Sequence, residues 1–195
     1  MWALATAAAQ PFSHRLHRKL GLECLSCHPQ AAVSAVVTDN LLPSREACAA
    51  CHKEVTLRSP AASLLTKFSH AQHVGFGNIA PVIAAAIDGK TYVSPPGDIR
   101  RHLNSKNACA ACHRGIEESD QVTRAHLPQM ADCIVCHPKI DPPFSCRQCH
   151  APGPHLMPAD HTANLVDTHS SGKLKLDKAS CVVCHGRRFT CLGCH

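Results

Sequence analysis

The chain has 195 residues and a formal charge of +6, with 14 cysteines and 16 histidines against 1 Trp, 1 Tyr and 5 Phe. That length allows one domain or two small ones, and so few aromatic side chains exclude a core built on large rings. A fold this poor in bulky apolar residues needs staples or a prosthetic group.

In chain order, residues 1–10 read MWALATAAAQ, and Ala7 and Ala9 fit a small-residue cleavage site, so this stretch is a candidate signal remnant. Residues 11–58 hold Phe12-Ser13-His14-Arg15-Leu16-His17, followed by Cys24-Leu-Ser-Cys27-His28 and Cys48-Ala-Ala-Cys51-His52. A short helix is expected over Arg45 to Lys53, opened by Ser44. Residues 59–150 repeat the first element as Phe68-Ser69-His70-Ala71-Gln72-His73, an FSHxxH doublet. An insertion, 74–108, then carries Gly75, Gly77, Pro95, Pro96 and Gly97 and is expected to be mostly loop with at most one short helix. Its best apolar stretch, Ile79 to Ile87, contains Pro81 and falls short of the roughly 18 residues of a membrane helix, so no membrane span is expected. Three motifs close this unit: Cys109-Ala-Ala-Cys112-His113, Cys133-Ile-Val-Cys136-His137 and Cys146-Arg-Gln-Cys149-His150. Residues 151–195 end with Cys181-Val-Val-Cys184-His185 and Cys191-Leu-Gly-Cys194-His195, with Asp177 marking a helix over Lys178 to His185. No segment alternates as a strand would.

All 14 cysteines therefore fall into seven CxxCH motifs, and none is left for a disulfide. Histidine is about 8% of the chain, so seven histidines behind seven CxxC pairs have a chance probability on the order of 10⁻⁸. A disulfide scaffold needs no histidine after each pair, zinc needs four converging ligands, and a redox CxxC needs a βαβ unit. CxxCH is the attachment motif of c-type haem: two thioether links from the cysteines, with the following His as proximal iron ligand. The expectation is seven haem c groups on His28, His52, His113, His137, His150, His185 and His195. At about 28 residues per haem, the expected fold is haem-dominated, mostly coil with short α-helices and little or no sheet. The haem-free chain should be largely unfolded. Fourteen propionates would offset the basic residues, so the charge is not read as a nucleic-acid signal. Haem attachment outside the cytoplasm implies export, to the periplasm or the cell surface.

Nine histidines remain: His14, His17, His70, His73, His102, His126, His155, His161 and His169. With only Met1, Met130 and Met157 as thioether alternatives, the simplest account is seven bis-His irons and two spare histidines. His102, between Arg101 and Leu103, and His155, between Pro154 and Leu156, are the candidates for the spares. His14, His17, His70, His73, His126, His161 and His169 are the candidate sixth ligands.

The run from Phe12 through His28 resembles the opening of the class III multihaem cytochromes, small tri- and tetrahaem electron carriers, here expanded to seven motifs. Their F-x-H-x-x-H histidines stand ten and seven residues ahead of the first CxxCH, as His14 and His17 do. The resemblance implies that His14 serves the iron of His28 and His17 a later one, that of His52. It implies that His70 and His73 serve two sites of the middle unit, and that His126 serves a later site, that of His150. His161 and His169, before two close motifs, are similar to paired distal ligands of larger multihaem cytochromes.

The function expected is electron transfer along a chain of bis-His haems, not catalysis, between a redox donor and an acceptor protein, with self-association into a filament left open. The alternative is a reductase of a small nitrogen or sulfur oxyanion, which requires one five-coordinate haem.

Overall fold

A computed structural model describes residues 12–56, 63–137, 144–153, 156, 165–168, 181 and 184. The candidate signal remnant, His155, His161, His169, the helix expected over Lys178 to His185 apart from Cys181 and Cys184, and the motif Cys191 to His195 lie outside these residues. Among the described residues short α-helices are joined by 3₁₀ turns and coil: α1 His14–Lys19, α2 Cys24–Cys27, α3 Arg45–Ala49, α4 His70–Gly75, α5 Ala80–Asp88, α6 Ile99–His102, α7 Met130–Cys136 and α8 Leu165–Thr168. Among the described residues there is no sheet, only an isolated bridge between Leu65 and His150. None of their helices is long and apolar enough to cross a membrane.

The two FSHxxH doublets open helices by the same device. Ser13 Oγ accepts from the Leu16 amide at 3.2 Å, and Ser69 Oγ accepts from the Gln72 amide at 3.2 Å. Each hydroxyl satisfies one of the amides that a first turn leaves without a carbonyl. Ser44 caps α3 likewise, from Ala47 at 3.4 Å. The helix stops at Ala49 rather than Lys53, so Cys51 and His52 leave it in a turn.

The insertion departs from expectation. Residues 74–108 hold two helices of their own, α5 and α6, amid turns and coil, and supply most of the buried apolar cluster. Ala80, Ile83, Ala84, Tyr92, Ile99 and Leu103 pack there with Ala111 and Ala131 from two CxxCH segments. The reason lies in Pro81. It looks like a breaker inside the apolar run, but it stands in the first turn of α5, where its missing amide hydrogen has no partner to lose. Ala80, Ile83, Ala84 and Ile87 then recur at helical spacing and form one inward stripe. Ile83 is 1% exposed, a burial that contributes roughly 1.5–3 kcal/mol.

A buried polar network ties this cluster to the motifs. Arg114, directly after His113, donates from Nη2 to Asp132 Oδ2 at 2.6 Å and from Nη1 to the Ala111 carbonyl at 3.0 Å. Asp132, directly before Cys133, also accepts from the Tyr92 hydroxyl at 2.8 Å and the Gln129 amide at 2.7 Å. Both charged side chains are nearly sealed, at 2% and 3% exposure. A charge pair pays its desolvation only when the remaining hydrogen bonds are made. The Asp132 carboxylate makes three, while Arg114 Nε has no partner.

Candidate cofactor-binding sites

Five complete CxxCH motifs are described, and none of the described cysteines is in a disulfide. Their histidines meet those of the doublets in pairs. The ring centres of His14 and His28 lie 6.4 Å apart, those of His17 and His52 6.1 Å, and those of His73 and His137 6.4 Å. His70 neighbours His113: burial lowers the pKa of His70, and His113 lowers it further.

These separations can be tested against a shared metal. Imidazole–metal bonds of about 2.0–2.1 Å, with each ring centre roughly 1.1 Å behind its nitrogen, place two axial rings about 6.2 Å apart. The three measured gaps agree with that figure. Among the described residues no group of three or more His, Cys, Asp or Glu could hold a metal ion by itself. A haem c, if bound, would be held at each of these places by the paired imidazoles and by the cysteines of the adjoining motif. The residues present fit haem c.

Ring orientation supports the fit. A carbonyl can only accept, so a His Nδ1 bonded to one carries the proton and leaves Nε2 as the free ligand atom. His28 Nδ1 donates to the Leu41 carbonyl at 2.7 Å, His113 to the His126 carbonyl at 3.3 Å and His150 to the Leu64 carbonyl at 3.1 Å. His17 Nδ1 donates to the Ser13 carbonyl and His73 Nδ1 to the Ser69 carbonyl, both at 2.8 Å. One serine in each doublet thus caps the helix with its side chain and orients the second histidine with its backbone. Phe12 lies edge-on to His14 and nearly parallel to His17, and Phe68 repeats both contacts on His70 and His73. His14 Nδ1 is buried without a hydrogen-bond partner. Burial, then His28, pushes its pKa down to about 4, which keeps the ring in the neutral form a metal requires.

His126 and His102 behave differently. His126 Nδ1 accepts from the Thr123 amide at 2.9 Å, so its neutral ring carries the proton on Nε2. That is the opposite tautomer to the rings above. Its ring bonds Thr123, its carbonyl accepts from His113 Nδ1, and no described contact joins it to His150. His102 Nε2 accepts from Arg101 Nε at 3.0 Å. Its ring lies 3.1 Å from where a Cβ on Gly115 would sit, and Gly115 has a φ of +67°, which favours glycine on both counts. Both histidines line one cavity of about 260 Å³ with Arg101, Arg114, Asp98 and Glu118.

The motifs also approach one another. Asn107 joins the first motif to the third: its Nδ2 donates to Cys24 Sγ at 3.2 Å and its Oδ1 accepts from the Cys109 amide at 3.0 Å, which places the two thiols within each other's electrostatic reach. The Cys109 contact, the largest cause, and Asn107 pull Cys24 down to about 6, while the same contact raises Cys109. Burial raises the Cys27, Cys112, Cys133 and Cys184 thiols. In each a thiol of another motif adds to the effect: Cys48 at Cys27, Cys133 at Cys112, Cys149 at Cys133 and Cys146 at Cys184. Compared with known proteins, the chain matches no family model, no curated protein and no solved structure.

Proposed function

We propose that this chain is an exported electron conduit carrying seven haem c groups, each attached through one CxxCH motif and most held by two histidines. The observation that carries the proposal is the triple coincidence of ring spacing. His14 with His28, His17 with His52 and His73 with His137 each join a doublet histidine to a motif histidine across the width of one metal ion. Bound there, haem c supplies a low-spin iron that exchanges single electrons at low potential, because no Met replaces the second His.

The protein's own contribution is positional. The cysteine pairs provide covalent attachment, and the carbonyls of Ser13, Leu41, Leu64, Ser69 and His126 set which ring nitrogen is free. The adjacency of cysteines from different motifs, the first with the second and third and the fourth with the fifth, packs the attachment points close enough for electrons to pass between them. Donor and acceptor are redox proteins outside the cytoplasm. The test is the resting spectrum of the exported protein. Purely low-spin ferric signals that cyanide leaves unchanged are expected. A high-spin signal that responds to cyanide would instead favour the five-coordinate reductase.

A further inference from the structure

The two FSHxxH segments are not merely repeated; each docks on the turn that follows the first CxxCH motif of the other half. In the first, the residue after the leading histidine, Arg15, donates its amide to the Ser119 carbonyl at 3.0 Å. In the second, the matching residue, Ala71, donates its amide to the Ser34 carbonyl at 2.9 Å. Ser34 stands six residues after His28, and Ser119 stands six residues after His113. The capping serines join in: Ser13 Oγ donates to Asp120 Oδ1 at 2.6 Å, and Ser69 Oγ donates to the Ser34 carbonyl at 3.4 Å. So α1 docks beside the 3₁₀ turn Ile116–Glu118 that follows the third motif, and α4 docks beside the turn Pro29–Ala32 that follows the first. The remaining spacing matches as well. Nineteen residues separate His28 from Cys48, and nineteen separate His113 from Cys133.

When patch i of one unit meets patch j of the other, and j meets i, the interface is that of a two-fold pair. Here both halves belong to one chain, residues 12–52 and 68–137. At the centre of the exchange Asn107 bridges Cys24 and Cys109, the leading cysteine of each half's first motif, donating to the Cys24 thiol at 3.2 Å and accepting from the Cys109 amide at 3.0 Å. The second motif of each half lies outward, α3 beside α2 in the first half and α7 against the α5 core in the second.

We propose that the first four motifs form a head-to-head unit in which electrons pass in the order second, first, third, fourth, with the Cys48–His52 segment as its outer port. The proposal rests on the conduit reading and adds the order and the port. On the fourth motif's side Cys133 neighbours Cys149 of the fifth, so that end continues into the chain. At the second motif Cys51 and His52 are exposed, and it is there that an external redox partner's haem edge would meet the unit.

The test is a redox titration of the loaded protein followed by NMR, with His14→Met, His17→Met, His70→Met and His73→Met each raising one site's potential and so assigning it. The site of the second motif should interact with that of the first alone, and the site of the first with those of the second and third. Arg15→Pro and Ala71→Pro sit in first helical turns that tolerate proline and each delete one reciprocal amide bond, Arg15→Pro with it the Arg15–Asp120 ion pair across the same contact. Both should weaken the first-to-third interaction and leave first-to-second unchanged. In the unsubstituted reduced protein, a nuclear Overhauser contact between the Cys24 and Cys109 β-protons is expected. If seven haems are present but the second motif's site interacts most with the third's, or the Cys24–Cys109 contact is missing, the order is wrong and the conduit stands. If no Met substitution moves any potential, both fall.

Discussion

Residues 12–52 and 68–137 share one skeleton of histidines and cysteines, yet they are held up differently. The first half buries only Ser13 and Ser34, whereas every buried hydrophobic side chain among the described residues lies between Ala80 and Ala131. The charges sealed between Arg114 and Asp132 have Pro29 and Ala47 at the matching places beside His28 and Cys48. Leu16, Leu20, Leu25, Val33 and Val36 of the first half are instead exposed on the protein surface. Ligand geometry is therefore separable from core packing. The same imidazole spacing is reached once on a folded platform and once on a segment that leans on that platform and on the proposed cofactor.

The difference can be broken most strongly at Asp132. Asp132→Ala leaves the Arg114 guanidinium buried and unpaired and strips a partner from Tyr92, and should destabilise the second half by about 3–5 kcal/mol. Denaturant unfolding monitored at the signals of the third and fourth motifs reads this. A loss below about 1 kcal/mol would mean that the network is not what supports them. Ile83→Ala should follow, at about 2–5 kcal/mol through the cavity it opens. Its effect should appear first at the third and fourth motifs; equal loosening of the first and second would deny the second half its role as platform. The smallest effect belongs to the caps. Ser13→Ala and Ser69→Ala should each cost about 1 kcal/mol, with Ser13 the larger because its hydroxyl donates to the Asp120 carboxylate at 2.6 Å where that of Ser69 donates to the neutral Ser34 carbonyl at 3.4 Å. Matching losses at both sites, or a larger one at Ser69, would show that the Asp120 bond adds nothing.

Much of the candidate site is legible in the sequence because its chemistry is local. CxxCH and FSHxxH are contiguous, so covalent geometry and one helical turn bring their atoms together wherever the chain goes. The meeting of His73 with His137 is of another kind. It spans an insertion and depends on α5 docking against α7, which spacing alone does not encode. The insertion misleads for a physical reason, since Pro81 punctuates an apolar run that it in fact starts. Arg114 and Asp132 carry only a faint signal, two charges flanking motifs amid small apolar neighbours. The reciprocal seating of α1 and α4 leaves its trace in the equal nineteen-residue spacings, which gain meaning only once the two helices are seen to exchange partners.

The central claim is the cofactor itself, and a pyridine haemochrome assay against protein concentration on the exported chain tests it most directly. The account predicts seven haem c groups per chain, and a mature protein with fewer, or with none, would contradict it.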